Sequence, residues 1–371
     1  MPSIVDPVEA RGGAWTLTRG LIKAIDLAWP GSRVECIPLS SRSPASHRLR
    51  QLTSLISSAL GSELPAKVAF TRTRRMRRQV RAAVAKGKPD LIIINGTDLL
   101  WTLSECGSDV PVVAIVHNIE SELYLRQISH VANPRSLMGR LLAKDYRKLR
   151  AYEWAGMCKA GRAIFLSEED KQAAVDVCPG IVAVVVPPIF DYEPASRDRS
   201  ATGRLSLGMF ADFTWWPNRV SLEWFLSQIW PSISDNVELH LMGYGSQRVG
   251  TGVERVTSHG FVRDPRIVFA RCDVMIAPII EGAGVKMKVA EALFNRVPVA
   301  ATSFSVRGLP ARAIHSVHVC DSSAEWVAFL NGDAALEFSR RPVPVDAAAC
   351  FSTQKATDAL RSFIHNDLVR L

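Results

Sequence analysis

Short runs rich in Val and Ile alternate with longer helical stretches along most of the sequence, and this alternation is its strongest constraint on fold. In the first half the strand-like runs are residues 90–95, 112–117, 163–167 and 181–186, and the helical stretches are 14–28, 71–85 and 136–157. In the second half they are 205–210, 237–242, 274–277 and 298–301, with helices at 218–229, 266–272 and 288–294. A βαβα order is typical of parallel sheets covered by helices. Each half is therefore predicted to be a doubly wound α/β domain.

The chain has 371 residues, which exceeds one ordinary domain. A Pro-, Arg- and Ser-rich stretch without periodicity predicts a linker at 193–203, between domains at 1–192 and 204–350. The apolar pattern of 351–371 predicts a terminal helix, and this helix is expected to cross back to the first domain. The first strand is short, since only Ile4 and Val5 precede Asp6-Pro7. Either the start is truncated or this sheet edge is unusual.

Composition narrows the classes of protein that the chain can belong to. Apolar residues make up 47% and charged residues 22%, as in globular proteins. No apolar stretch approaches the roughly 20 residues of a membrane span, and the N-terminus has no secretory features, so a cytoplasmic location is expected. Seven cysteines without a C-x-x-C pair favour reduced thiols and no zinc site. The net charge of +9 indicates an anionic partner: a nucleotide, a phospholipid surface or nucleic acid.

The densest cluster of candidate ligand-binding residues lies in a glycine loop. This loop joins the apolar run ending at Pro278 to a helix starting near Lys288. Gly282 and Gly284 allow close approach of the backbone, and the following helix directs its positive end towards the loop. Lys286 and Lys288 add full positive charges. The unit suits an anionic ligand, although a tight turn with solvated lysines gives the same pattern.

The order of residues in and around this loop resembles the donor-site signature of family 4 glycosyltransferases with the GT-B fold. The matching residues are Lys288, Glu291-Ala292 and Pro298-Val299, with Trp216-Pro217-Asn218, Gly243-Tyr244-Gly245, Gly260–Asp264, Cys272-Asp273 and Ala277-Pro278 elsewhere in the second half. In the first half the resemblance rests on Gly12-Gly13, His117-Asn118 and residues 166–170. It implies two Rossmann-like domains that face each other across a cleft.

The resemblance also implies roles for individual residues. Those that would contact the donor diphosphate are Gly12, Gly13, Arg219, Gly282, Gly284, Lys286 and Lys288. Those that would contact the ribose or base are Gly243, Gly245, Val262, Arg263 and Glu291, and those near the sugar are Asn118, Glu281 and Ala283. Many members separate two glutamates by seven residues, whereas Glu281 and Glu291 enclose nine, so this loop is two residues longer.

The implied activity is retaining transfer of a hexose from a UDP- or GDP-sugar to an acceptor hydroxyl, in polysaccharide, glycolipid or glycoconjugate synthesis. Lys288 would stabilise the leaving diphosphate, and without an Asp-x-Asp site neither a metal nor another cofactor is expected. His117 would lie near the sugar or acceptor as the catalytic histidine, unless it is structural. Glu120 and Glu122 are expected to cap or tether the helix after His117. An epimerase or phosphorylase on the same fold is the alternative.

Two basic stretches could bind a second partner. One contains Arg74, Arg75, Arg77 and Arg78, and the other Arg140 and Lys144. They could be solvated faces, or they could meet an anionic membrane or a lipid-linked acceptor at the inner face of the membrane. A nucleic-acid or other polyanion binder is the alternative from a different class. Interleaved aromatic residues for base stacking are missing from both stretches, so nucleic acid is not expected as a partner.

Overall fold

The computed structural model describes residues 2–3, 13–38, 53–54, 57–58, 61–107, 110–195 and 204–368. The chain forms two compact units, Met1–Val186 with Thr357–Leu371, and Pro187–Ala356. The division precedes the expected linker at 193–203, of which residues 196–203 lie outside the described part. It does so because Phe190 is buried in the core of the second unit, where Tyr192 packs edge-on against Phe294 with 5.4 Å between ring centroids.

The first unit contains a parallel sheet with strand order β3-β4-β5-β6 and a separate parallel pair, β1-β2. Its strands are β1 (Pro2–Ser3), β2 (Ile37–Pro38), β3 (Ile92–Asn95), β4 (Val112–Val116), β5 (Arg162–Phe165) and β6 (Val182–Val185). Its helices are α1 (Gly13–Ala28), α2 (Ala66–Thr71), α3 (Arg74–Gly87), α4 (Glu120–Val131), α5 (Leu137–Ala160) and α6 (Glu168–Val177), with a 3₁₀ helix at Thr97–Ser104.

The helix expected at 71–85 starts later than predicted and is preceded by a shorter one. Thr73 marks the start of α3, because its hydroxyl accepts a hydrogen bond from the amide of Met76 at 3.2 Å and so caps the first turn. Helix α5 is bounded at both ends by sequence features. Ser136 caps its start through the amide of Gly139, and Gly161 ends it in the left-handed conformation, with φ of 67°.

The second unit is built on one parallel sheet of six strands in the order β12-β11-β10-β7-β8-β9. Its strands are β7 (Leu205–Phe210), β8 (Val237–Met242), β9 (Val256–Gly260), β10 (Val274–Ala277), β11 (Val299–Ala301) and β12 (Val317–Val319). The order reverses between β7 and β10, and sheets of this type bind ligands at the carboxyl ends of the strands beside that reversal. The switch point therefore locates the candidate site.

Helices pack around this sheet, and the last helix ends the described part of the chain. They are α7 (Trp216–Gln228), α8 (Pro265–Arg271), α9 (Met287–Phe294), α10 (Ser303–Val306), α11 (Ala311–Ile314), α12 (Ser323–Asn331), α13 (Asp333–Arg340), α14 (Val345–Ala349) and α15 (Thr353–Leu368). From Thr357 onward, α15 belongs to the first unit. There Arg361 donates to the carbonyl oxygens of Ala28 (3.0 Å) and Leu27 (2.6 Å), which the end of α1 leaves unpaired.

One disulfide differs from the expectation of reduced thiols. Cys158, near the end of α5, is bonded to Cys178, the residue that caps α6, with 5.3 Å between their Cα atoms. The two helices end side by side, which brings together two cysteines whose spacing of 20 residues suggests no motif. Among the described residues, the other five cysteines form no disulfide: Cys36, Cys106, Cys272, Cys320 and Cys350.

Candidate functional site

The glycine loop joins β10 to α9 at the switch point of the second sheet. Gly282 and Gly284 have φ of 121° and 63°, values that side chains other than glycine rarely adopt. The loop begins from a fixed position, because the amide of Ile279 donates to Ser305 Oγ (3.2 Å) and that of Ile280 to Ser221 Oγ (3.3 Å). Neighbouring helices on both sides thus hold the loop.

The two lysines of the loop have different surroundings. Lys286 Nζ donates to the carbonyl oxygen of Gly284 at 2.7 Å and lies 4.4 Å from the centre of the Phe304 ring. Lys288 is half-buried and donates to Asn218 Oδ1. The Asn218 amide is itself oriented, since Nδ2 donates to the carbonyl oxygen of Asp212 at 2.7 Å. The hydrogen bond from Lys288 to Asn218 therefore connects the start of α9 to the start of α7, across the switch point.

Burial, with a smaller contribution from the positive charge of Lys286, lowers the pKa of Lys288 to about 7. An anion beside Lys288 would restore its charge, because an opposite charge favours the ionised form. Arg219 follows Asn218 on α7 and is exposed. This corner is suited to a diphosphate.

Glycines after β8 allow the backbones of the loops at this edge to approach each other closely. Gly243 has φ of 118°, and a Cβ atom there would lie 2.1 Å from the carbonyl oxygen of Ala211. Its amide donates to the carbonyl oxygen of Gly260 at 2.8 Å. Gly245 has φ of 80°. The loops that follow β7, β8 and β9 are thereby joined, and Val262 and Arg263 lie directly beyond β9.

Three aromatic side chains on these loops were not predicted as site residues. Trp215, Tyr244 and Phe261 follow β7, β8 and β9, and their exposed fractions are 48%, 48% and 53%. Each lies within or beside a motif that the sequence had indicated, so an aromatic residue in every loop was an available signal. Exposed rings can stack on a planar base.

Glu291 lies on α9, one turn beyond Lys288, and is only 8% exposed. Its Oε1 accepts a hydrogen bond from the Tyr192 hydroxyl at 2.9 Å. Asn295 Nδ2 donates to the same hydroxyl at 2.9 Å and to the Glu291 carbonyl oxygen at 2.8 Å. Burial raises the pKa of Glu291 to about 7, and the hydrogen bond from Tyr192 opposes that rise. Tyr192 and Asn295 thus fix the carboxyl group, which sequence reasoning had not foreseen.

The remaining donor-site predictions lie in different environments. Glu281 and Ala283 are half-buried on the glycine loop, on either side of Gly282. Gly13 is the first residue of α1, and Gly12 lies outside the described residues. The structure therefore brings the predicted residues of the second unit to one edge of its sheet, whereas the Gly12-Gly13 prediction stays untested.

His117 follows β4 at the carboxyl edge of the first sheet. Its Nε2 lies 2.7 Å from Asn95 Oδ1, and Asn95 Nδ2 donates to Thr18 Oγ1 at 2.9 Å. In this orientation of the amide, Nε2 carries the ring proton and Nδ1 is an acceptor. Burial lowers the pKa of His117 to about 4, so the ring is neutral near pH 7. Among the described residues its buried Nδ1 has no hydrogen-bond partner.

Charged side chains surround His117 and hold α4. Glu153 is fully buried, and its carboxylate accepts from the amides of Glu120 (2.7 Å) and Ser121 (2.9 Å) at the start of that helix. Glu120 accepts from Asn118 Nδ2 (2.9 Å) and from Lys67 Nζ (2.5 Å). Glu120 is thus a tether, and the amides at the start of α4 are capped by Glu153, which had not been predicted.

The arginines of α3 divide into two groups. Arg77 and Arg81 both pair with the buried carboxylate of Glu105, so these two have a structural role. Arg74, Arg75 and Arg78 are exposed, as are Arg140 and Lys144 on α5.

Within the part of the chain that the structure describes, no helix combines the length and apolar character needed to cross a membrane. Nor do three or more His, Cys, Asp or Glu side chains come together there as potential ligands of a metal ion.

Comparison with known proteins supports the interpretation of this edge. Residues 204–328 match the sequence profile of the family described as Glycosyl transferases group 1. That stretch runs from the start of β7 to within α12 and includes Lys288 and Glu291. No curated protein sequence matches the chain.

Solved structures resemble the chain over a larger part of its length. Sucrose-phosphate synthase from Thermosynechococcus elongatus superposes with a TM-score of 0.69 at 14% identity, covering 100% of both chains. Anabaena HepE in complex with UDP and glucose has a TM-score of 0.56 at 16% identity, covering 78% of this chain and 81% of its own. The glycosyltransferase of kitacinnamycin has a TM-score of 0.51 at 16% identity, covering 94% and 95%. The predicted GT-B fold is confirmed, and within it residues 204–328 are similar to the group 1 glycosyltransferases.

Proposed function

We propose that the protein is a retaining, metal-independent glycosyltransferase that moves a hexose from a UDP- or GDP-sugar to an acceptor hydroxyl. The observation that carries the proposal is the corner formed by Lys288, Asn218 and the glycine loop, with Glu291 one helical turn away. The second unit would bind the donor and the first unit the acceptor. UDP is favoured because HepE, which shares the fold, is described in complex with UDP.

Each part of a nucleotide-sugar has a counterpart at this edge. Lys288 and the glycine-loop amides suit the diphosphate, with Arg219 and Lys286 as further cations. Glu291 suits the ribose, since its carboxylate accepts hydrogen bonds from hydroxyl groups. The base would contact the loop at Val262 and Arg263 and could stack on Phe261 or Tyr244. Glu281, Ala283 and Asn118 stay predicted sugar contacts.

Departure of the nucleoside diphosphate develops negative charge, which positioned cations and amides stabilise. Lys288 would supply that charge in place of a metal ion. His117, neutral at pH 7, would position the sugar or acceptor through a hydrogen bond to Nδ1. In the retaining mechanism that we propose, the acceptor attacks the face from which the diphosphate leaves, and a donor phosphate oxygen receives the proton. No protein carboxylate then acts as nucleophile.

A membrane-bound acceptor fits the surface of the first unit. The exposed charged residues of α5 are all cations, because its two acids, Asp145 and Glu153, are buried. Leu137 and Met138 at its start are 75% and 52% exposed. Cations gain about 1 kcal/mol each beside anionic headgroups. We therefore propose peripheral association with an anionic membrane and a sugar or lipid-linked acceptor.

A turnover assay tests the proposal. The protein is incubated in EDTA with UDP- and GDP-sugars and with a panel of glycoside and lipid-linked acceptors, and both nucleoside diphosphate release and the anomeric configuration of the product are recorded. Acceptor-dependent release with retained configuration is expected. Inversion, or a need for added metal, would contradict the mechanism. Conversion of the donor without release would indicate an epimerase, and sugar phosphate formed from inorganic phosphate would indicate a phosphorylase.

Binding of an intact nucleotide-sugar is expected to be strongest near pH 7. Below it Glu291, with its pKa raised to about 7, takes up a proton and no longer accepts from the ribose. Above it Lys288, with its pKa lowered to about 7, loses the charge that the diphosphate needs. The affinity should fall up to about tenfold for each pH unit on either side. An intact nucleotide-sugar is preferable to UDP, whose terminal phosphate titrates near pH 6.

Calorimetric titration between roughly pH 5.5 and 8.5 measures this profile. Glu291→Gln should abolish the fall in affinity below pH 7, which is the acid limb of the profile. Lys288→Met should abolish the fall above pH 7, which is the alkaline limb. A flat profile for the parent protein would exclude both groups from the binding site.

Tyr192→Phe is expected to weaken nucleotide binding by about 3- to 10-fold, because the variant lacks the hydroxyl group that orients Glu291. The acid limb should also move to higher pH, since that hydrogen bond lowers the pKa of Glu291. Tyr146→Phe, on α5, is the matched control. Weaker binding with an unmoved acid limb would indicate a purely structural role for Tyr192.

A further inference from the structure

A cavity of about 300 Å³ lies in the first unit, away from the groups assigned above. It is bordered by the 3₁₀ helix Thr97–Ser104 on one side and by the last third of α5 on the other. Its wall is mainly apolar, and the residues that form this part are Leu64, Leu100, Trp101, Leu103, Ala155 and Gly156.

Two uncharged polar groups of the wall, the Tyr152 hydroxyl and the Trp101 indole N–H, are hydrogen-bonded within the fold. The Tyr152 hydroxyl accepts from the amide of Trp101 at 2.6 Å, and the Trp101 indole N–H donates to Thr71 Oγ1 at 3.1 Å. Because these bonds use the polar ends of both side chains, their rings are left to line the space. The cavity thus offers few hydrogen bonds to a ligand and suits a hydrocarbon.

Two cations, Arg72 and Lys159, also line the cavity, and none of its ten lining residues is acidic. Arg72 Nε is buried and has no hydrogen-bond partner among the described residues. Buried guanidinium N–H groups are normally paired, so a missing partner indicates an unfilled site for an acceptor. Arginine is suited to phosphate, which can accept two of its N–H groups at once.

The surface beside the cavity favours approach of an anion. All five exposed charged residues of α5 are basic, and Lys159 is one of them: Arg140, Lys144, Arg147, Arg150 and Lys159. A surface of one sign raises the local concentration of ligands of the opposite sign. An apolar cavity with cations beside it thus combines the two requirements of an anionic amphiphile.

We propose that this cavity binds a single-chain alkyl or prenyl phosphate, with the chain against Leu100 and Trp101 and the phosphate on Arg72 and Lys159. A volume of about 300 Å³ is at the lower limit of ligand pockets. It accommodates one chain and excludes a two-chain lipid. The inference is independent of glycosyl transfer and is tested by binding alone.

Calorimetry with decyl phosphate, below its micellar concentration, provides the test. Binding is expected for decyl phosphate, with decanol and inorganic phosphate each at least about tenfold weaker. Ala155→Leu fills the cavity from α5 and should weaken decyl phosphate binding by about tenfold or more. Each methylene group of the alkyl chain that the leucine displaces from the cavity lowers the affinity severalfold. Ala151→Leu, one turn earlier and also exposed, is the matched control and should bind like the parent. Arg72→Met should weaken binding by about tenfold, with its melting temperature recorded alongside.

Equal binding by Ala155→Leu and the parent would overturn the proposal, as would equal affinity for decanol, which would remove the role of the cations. Sedimentation with anionic phospholipid vesicles distinguishes two sources of the phosphate. If Ala155→Leu still binds vesicles but not decyl phosphate, the ligand is a single-chain phosphate that is distinct from the bulk membrane. If Ala155→Leu loses both, the cavity takes its chain from the bilayer itself, which contradicts the single-chain assignment.

Discussion

Lys288→Ala is expected to lower kcat/KM for the nucleotide-sugar by about 100- to 1,000-fold, a loss of about 3–4 kcal/mol of transition-state stabilisation. The ammonium group lies at the switch point, tied to Asn218, where charge grows on the departing diphosphate. Because this interaction strengthens as the bond to the sugar breaks, most of the loss should appear in kcat and less in KM.

Two variants control this prediction. Lys171→Ala removes a half-buried lysine whose ion pair with the exposed Glu168 contributes little, and it should leave kcat/KM unchanged. Lys288→Arg keeps the charge and should recover part of the activity. A Lys288→Ala enzyme within threefold of the parent would remove this residue from the donor site.

His117→Ala is expected to lower kcat by about 100-fold while the dissociation constant for the nucleotide changes by less than twofold. The physical reason is location, since His117 lies in the first unit and the proposed nucleotide site in the second. A hydrogen bond aimed at the reacting sugar is worth about this much in the transition state. Because burial holds the His117 pKa near 4, its ring should add no limb to the pH profile of kcat near 6.5.

A structural role for His117 has a different signature. Its replacement leaves Asn95 Oδ1 without its partner, which costs about 1–3 kcal/mol of stability if the site is dry. If kcat, nucleotide affinity and melting temperature fall together, His117 only supports the fold. His315→Ala, at an exposed position in the second unit, controls for loss of a histidine and should alter none of the three.

Most of the second sheet was predictable, because four of its strands, β7, β8, β10 and β11, are short apolar runs between turn signals. Strands β9 and β12 were missed. They lie at the two edges of the sheet, where one side is left uncovered, and their apolar character is weaker as a result. The disulfide between Cys158 and Cys178 was also missed, since its formation depends on where two helices end and not on a local motif.

The site was predictable only where one local segment carries its chemistry. The glycine loop and Lys288 follow each other in sequence, so their proximity was evident. Tyr192 lies 99 residues from Glu291, and only the packing of residues after Pro187 onto α9 brings the two together. The same limit applies to Asn95 beside His117, whose contact joins two neighbouring strand ends.

Thermal unfolding in EDTA, with UDP, GDP, dTDP and ADP and their sugar conjugates, tests the central claim most directly. A ligand at 100 times its dissociation constant stabilises by about 2.7 kcal/mol, which corresponds to a rise of about 5 °C or more for a unit of this size. The account predicts such a shift for one base, without metal, and its loss in Lys288→Ala. No shift with any nucleotide in EDTA, or a shift that Lys288→Ala retains in full, would contradict it.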